Sequence, residues 1–191
     1  MVKNTFQMQT NCKSNLRHLY VQDMDIADQL TRYFYFEGAF PSSNGAQPVY
    51  VSAQEGLTQE SIEKLDYFDL LGAGHVFSER FVNEMSLELG DDITFEEVYL
   101  RAFNIEYKLF IARINKKINL LDYDSMNLWK NKTGSKKLIF HDYFDCDFLI
   151  AKESGERKSV VSVSDAFVSM CKSKKLKISY SKNIVSKELS M

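Results

Sequence analysis

The order of apolar and polar positions along this chain occurs twice. In Val76-Phe77-Ser78-Glu79-Arg80-Phe81-Val82-Asn83-Glu84-Met85 an apolar strand end runs into a serine and an acid, then into a short amphipathic stretch. A polar turn follows, and then the extended run Ile93-Thr94-Phe95-Glu96-Glu97-Val98. The same order returns 86 residues later in Ser162-Val163-Ser164-Asp165-Ala166-Phe167-Val168-Ser169-Met170-Cys171, followed by Leu176-Lys177-Ile178-Ser179-Tyr180. Each serine suits a helix N-cap, because its hydroxyl can accept from a free N–H of the first turn. The acid beside it complements the positive end of the helix dipole. The pattern therefore predicts a duplicated strand–capped helix–strand unit, near residues 74–100 and 160–182, with Phe81 and Phe167 as core anchors.

Elsewhere the pattern is more mixed. Residues 1–15 are polar and read as irregular, with a first strand over 16–21. Asp23 caps a helical turn over 23–30. The aromatic-rich stretch 31–40 has strand-like preference, and 41–48 is built of turn formers. A short strand follows at 49–51, then a capped helical turn at 58–65, and residues 69–77 lead into the first unit. Residues 107–119 fit neither period cleanly, although alternation through Phe110, Ala112 and Ile114 favours a strand. A turn at 122–126, a basic loop at 130–137, strands at 138–144 and 147–151 and a turn at 153–157 complete the reading. Strands and helices mix without a regular βαβ rhythm. The expected fold class is α+β, with a mixed, mostly antiparallel sheet and short helices.

Composition narrows this further. A chain of 191 residues with 45% apolar and 13% aromatic content can bury a full core. Its 2 prolines and 8 glycines leave little material for a linker, so one domain over 1–191 is expected. Cys12, Cys146 and Cys171 form neither a disulfide framework nor a CxxC pair. Met1 to Gln9 lacks the apolar stretch of a secretory leader, and no run approaches the ~18 apolar residues of a membrane span. A soluble, cytoplasmic protein is the expectation.

The net charge of −2 conceals an asymmetry. Residues 1–100 hold 6 Lys and Arg against 16 Asp and Glu, and residues 101–191 hold 18 against 10. Either the acidic half faces a basic partner, or the two halves interleave in the fold and neutralise each other.

Few side chains form a pattern that carries chemistry. His141, Asp142, Asp145, Cys146 and Asp147 are the one segment rich in metal-capable groups. On a strand, His141, Tyr143, Asp145 and Asp147 would share one face, which equally describes the solvent face of a half-buried strand. No GxSxG, HExxH or phosphate-loop motif is present. The turn Gly72-Ala73-Gly74 lacks the third glycine of a dinucleotide loop. The runs 130–137 and 172–177 are basic but carry no interleaved aromatics for stacking on nucleic acid. No catalytic residue, metal site, cofactor, nucleic acid or membrane is expected. Glu79, Asp91, Asp92, Glu96 and Glu97 are the candidate partner-binding residues.

The first unit, with Tyr107, Leu109, Leu121, Asp122 and Ser125 behind it, and the run Leu138-Ile139-Phe140 to Phe148-Leu149-Ile150 ahead of Val163-Ser164-Asp165 and Phe167, resembles one bacterial group. It is similar to the immunity proteins of polymorphic or contact-delivered toxins, family eleven, over about residues 74–182. The resemblance implies a non-catalytic protein that binds one cognate toxin domain and blocks its active site. Its gene would sit beside the toxin gene, and delivery would be by a type VI or contact-dependent system. On that reading the acidic residues from Glu79 to Glu97 would oppose a basic active site. The alternatives are a small metal-dependent hydrolase using the His141 segment, and a secretion-system adaptor without catalysis.

Overall fold

The computed structural model describes residues 2, 4–10, 19–42, 47–72, 74–155, 157 and 159–189. Cys12 and Ala73, and parts of the expected strand at 16–21 and loop at 41–48, lie outside the described residues. Two β assemblies share the described chain. In the first, β2 (Leu19–Tyr20), β3 (Tyr50–Ala53), β4 (Tyr67–Leu70), β5 (Gly74–Ser78), β6 (Ile93–Ala102) and β7 (Ile105–Ile114) close into a barrel in the order β2-β3-β6-β7-β5-β4. In the second, β1 (Thr5–Gln9), β8 (Lys117–Ile118), β9 (Ile150–Glu153), β10 (Val161–Ser164) and β11 (Ser179–Lys182) form a sheet in the order β11-β1-β10-β9-β8. The described residues also hold five α-helices: α1 (Met24–Tyr35), α2 (Gln59–Lys64), α3 (Glu79–Leu89), α4 (Tyr123–Thr133) and α5 (Asp165–Ser173). The fold is α+β, with most strand pairs antiparallel and the β2–β4, β3–β6 and β8–β9 pairs parallel.

The duplication is real and contains one element more than the sequence pattern suggests. β5 and β6 both pair antiparallel with β7, which lies between them. β10 and β11 both pair antiparallel with β1. Each unit is thus a split strand–helix–strand, its two strands separated by a third. The caps form as expected: Ser78 Oγ accepts from Phe81 N at 3.1 Å and Ser164 Oγ from Phe167 N at 3.2 Å. Phe81 and Phe167 are fully buried with ring centroids 6.1 Å apart, so the two units meet face to face. Removing a serine cap costs about 1 kcal/mol. We expect Ser164→Ala to lose about that much in urea unfolding. Ser78→Ala should lose more, because Ser78 Oγ also donates to Asp66 Oδ1 at 2.5 Å.

Three apolar clusters hold these parts together. One fills the barrel, where Val98, Leu100, Leu109 and Ile111 meet Leu30, Tyr33 and Phe34 of α1. A second lies between barrel and sheet and joins Phe77, Phe81, Met85, Ala112 and Ile114 to Met8, Ile150, Val163, Phe167 and Cys171. The third joins Leu120, Leu121, Met126, Ile139, Phe140, Phe144 and Phe148. Buried polar groups are tied in. Glu153, fully buried, accepts from Leu120 N, Leu121 N and Gly155 N, each at 2.8 Å. Asn183 Nδ2 bridges Thr5 Oγ1 at 2.9 Å and Ser162 Oγ at 2.7 Å, fastening β1 to β10.

Four local expectations are corrected. Residues 5–9 form β1, the central strand of the second unit, rather than an irregular start. Residues 31–35 continue α1, because Leu30, Tyr33 and Phe34 fall on one buried face below the Asp23 cap. The turn at 122–126 begins α4, where Asp122 Oδ1 accepts from Ser125 N at 2.9 Å, and the basic loop is in part its last turn, ended by Gly134 at φ 70°. Residues 138–149 form no strand: Phe140 makes isolated bridges to Leu121 and Val185, and Ile139, Phe140, Phe144 and Phe148 are buried in the third cluster from an irregular segment. Among the described residues no helix is long and apolar enough to cross a membrane.

Candidate partner-binding surface

The surface with the richest built chemistry lies on the outer face of the β6–β7 hairpin. Ten residue pairs from Ile93↔Ile114 to Ala102↔Ile105 align the two strands, so alternate residues face in and out. The inward set carries Val98, Leu100, Leu109 and Ile111 into the barrel core. The outward set divides in two. Near the base, Ile93, Phe95, Ala112 and Ile114 pack against α3 and its cluster. Towards the tip, Glu97, Tyr99, Arg101, Glu106 and Lys108 are left beyond the helix, beside Tyr50, which is paired in register with Tyr99.

These outward groups are laced together. The Arg101 guanidinium lies 4.0 Å from the Tyr50 ring centroid, donates to Tyr50 Oη at 2.6 Å and pairs with Glu106 at 2.9 Å. Tyr50 and Tyr99 rings are 5.9 Å apart. Lys108 Nζ pairs with Glu97 at 2.6 Å and approaches Glu79 at 3.8 Å. Tyr99 Oη donates to Glu97, and Lys108 and then Tyr99 hold the Glu97 carboxyl below its ordinary range. Aromatic and arginine side chains fixed by such contacts lose little freedom on binding, which is the character of interface hot spots.

The tip adds a strained apolar residue. Phe103 and Asn104, at φ 57° and 60°, form the two-residue turn between β6 and β7. Such turns require the left-handed region at both positions, where asparagine and glycine are favoured and a bulky side chain is not. Phe103 nevertheless occupies the first position with 51% of its surface exposed, and Ile105 beside it is 39% exposed. An aromatic held in an unfavoured conformation and pointed at solvent contributes little to folding.

The predicted acidic residues do not form one face. Glu79 and Glu97 meet at Lys108. Glu96 is turned the other way and accepts from Tyr33 Oη at 3.3 Å. Asp91 and Asp92 sit at the hairpin base, where their carbonyls accept from Asn115: Asp91 O from Asn115 Nδ2 at 3.0 Å and Asp92 O from Asn115 N at 2.8 Å. The charge asymmetry along the chain is in part cancelled in space. Lys108 from the basic half answers Glu97, Lys174 answers Glu84 and Glu88, and Lys117 answers Glu37. Arg80, half exposed, clamps Asp66, donating to it from Nε at 2.9 Å and from its terminal nitrogen at 2.5 Å.

The His141 segment has no strand face on which to align its polar side chains, since β9 begins only at Ile150. Among the described residues no group of three or more His, Cys, Asp and Glu side chains could hold a metal ion. His75 is used structurally. Tyr67 Oη lies 2.6 Å from Asp69 Oδ1 and 2.7 Å from His75 Nδ1. Tyr67 has one proton, which goes to Asp69, so His75 donates through Nδ1–H. Burial pushes the His75 imidazole down to about 4, keeping it neutral near pH 7.

Tyr50, Tyr99, Arg101 and Phe103 were not singled out from the sequence. The signal was present in Phe103-Asn104, a two-residue asparagine-containing turn between two alternating runs. Searched against family models, curated proteins and solved structures, the chain shows no match in any of the three comparisons.

Proposed function

We propose that this chain is an immunity-type protein that binds a cognate bacterial toxin domain and neutralises it by occluding its active site, with the outer face and tip of the β6–β7 hairpin as the contact surface. The observation that carries the surface assignment is Phe103, half exposed in the left-handed region beside the Tyr50–Arg101 stack. The resemblance over residues 74–182 supplies the class of partner. Glu79 and Glu97 flank the stack and give the rim its charge, whereas Glu96, turned to Tyr33, is no contact residue. The reading needs no catalysis by this chain.

The test is co-expression with the product of the adjacent upstream gene. Growth rescue together with co-purification of the two proteins is the expected result. Co-purification with a neighbour that is not toxic would favour the secretion-system adaptor instead.

A further inference from the structure

Two adjoining cavities lie between the C-terminal end of α1 and strands β7 to β9, and nothing proposed so far uses them. The smaller one, about 380 Å³, is walled mainly by apolar groups: Phe34, Leu70, Ala112, Ile114 and Val161. The larger one, about 730 Å³, is walled by Tyr33, Phe36, Glu37, Arg113, Lys117 and Ser154 among others. Phe34, Tyr35 and Lys152 belong to both, so the two are one cleft with an apolar end and a cationic end. Gly74 lines the apolar end: at φ 150° it lies against the Phe34 ring, where a Cβ would come within 3.2 Å.

The cations converge on one place. The Arg113 guanidinium rests 4.6 Å from the Tyr33 ring centroid, and its Nε is buried without a hydrogen-bond partner. Lys152, 9% exposed, donates to the Phe34 carbonyl at 3.4 Å. Lys117 pairs with Glu37 at 2.9 Å. Part of this charge answers the negative end of α1. Of the two carboxylates in the wall, Glu153 is engaged by three backbone N–H groups. That leaves Glu37 facing the cations, with its side chain 81% exposed and its backbone in the left-handed region at φ 59°. Lys117 first, then Lys152 and Arg113, hold its carboxyl below the ordinary range.

We propose that this cleft binds a small amphipathic organic anion, its apolar body in the smaller cavity and its carboxylate, sulfonate or phosphate head among Arg113, Lys117 and Lys152, and that Glu37 holds the head-group position in the free protein. The apolar cavity has the size and lining that suit a ligand's body, and the polar cavity beside it supplies convergent charged groups for the head. Glu37 is then an internal competitor that a ligand displaces. The site is separate from the hairpin tip, since the eight residue steps along β7 from Arg113 to Ile105 span roughly 27 Å. Failure of one assignment therefore leaves the other standing.

Titration of the full chain with 1-anilinonaphthalene-8-sulfonate, an aromatic body with one anionic head, tests the proposal by fluorescence. One saturable site is expected, displaced by decanoate but not by decanol or inorganic phosphate. Lys117→Glu should bind the probe about tenfold more weakly and Glu37→Gln several-fold more tightly, both with wild-type unfolding curves. The opposed directions separate a built site from general adhesion to apolar surface. Non-saturating binding, displacement by decanol as readily as by decanoate, or equal affinities for wild type and both variants would overturn it.

Discussion

Asp66→Ala is expected to lower the stability of the folded chain by about 3 kcal/mol, at the low end of the ~3–5 kcal/mol for breaking a buried ion pair. The Asp66 carboxylate, 1% exposed, accepts from Ser78 Oγ at 2.5 Å, from two nitrogens of Arg80, and from Lys177 N at 2.6 Å. Its backbone closes the same junction, its N–H donating to Lys177 O at 3.2 Å and its carbonyl accepting from Ser78 N at 3.3 Å. One residue thus ties the first unit's cap to the segment that leads into the second unit's β11. Alanine would leave the Lys177 amide and the Ser78 hydroxyl without their carboxylate acceptor. The Arg80 side chain is 51% exposed and returns to solvent, so its share is discounted. In thermal unfolding the loss should read as a fall of about 6–12 °C. Arg80→Ala in the Asp66→Ala background should cost little more, because the pair is already broken. A loss within about 0.5 kcal/mol, as for an ordinary surface change, would mean that the junction is not held there.

Phe103→Asn is expected to move stability and binding in opposite directions. Asparagine tolerates the left-handed region that the turn imposes, whereas a bulky side chain there costs about 1–2 kcal/mol. The substitution should therefore stabilise the chain by roughly 1 kcal/mol in urea unfolding while weakening capture of the partner by tenfold or more. Arg101→Ala acts on the same surface by another route. It dissolves the stack on Tyr50 and the pair with Glu106, and should weaken capture by about 2 kcal/mol, roughly thirtyfold, with little change in stability. A Phe103→Asn protein that is less stable than wild type would show that the tip is packed for folding and not for contact.

What the sequence revealed depended on how local each determinant is. The caps at Ser78 and Ser164 and the anchors Phe81 and Phe167 were legible, because a cap and the first turn that it closes lie within three residues. Strand β7 was legible only faintly, through the alternation of Phe110, Ala112 and Ile114, for a packing reason: Leu109 and Ile111 face the barrel core while Ala112 and Ile114 face the second cluster, so both faces are apolar. Strand β1 was invisible because its partners are Val163 and Ser164, and Ser179 to Lys182, more than 150 residues away. In residues 31–40 the aromatic content spoke for strand, but tertiary burial of Leu30, Tyr33 and Phe34 on one face decided for helix. The acidic candidates failed as a single face on periodicity alone, since Glu96 and Glu97 are neighbours on a strand and must point to opposite sides. The hairpin surface was out of reach by the same logic, because Tyr50 joins Tyr99 and Arg101 only through the β3–β6 pairing.

The most direct test of the hairpin assignment is the growth and co-purification assay repeated with the triple variant Tyr50→Ala, Arg101→Ala, Phe103→Asn, alongside its unfolding curve. A folded variant that no longer captures the product of the adjacent gene, in cells that are no longer rescued, is the predicted result. Rescue and capture at the wild-type level by the same folded variant would contradict it.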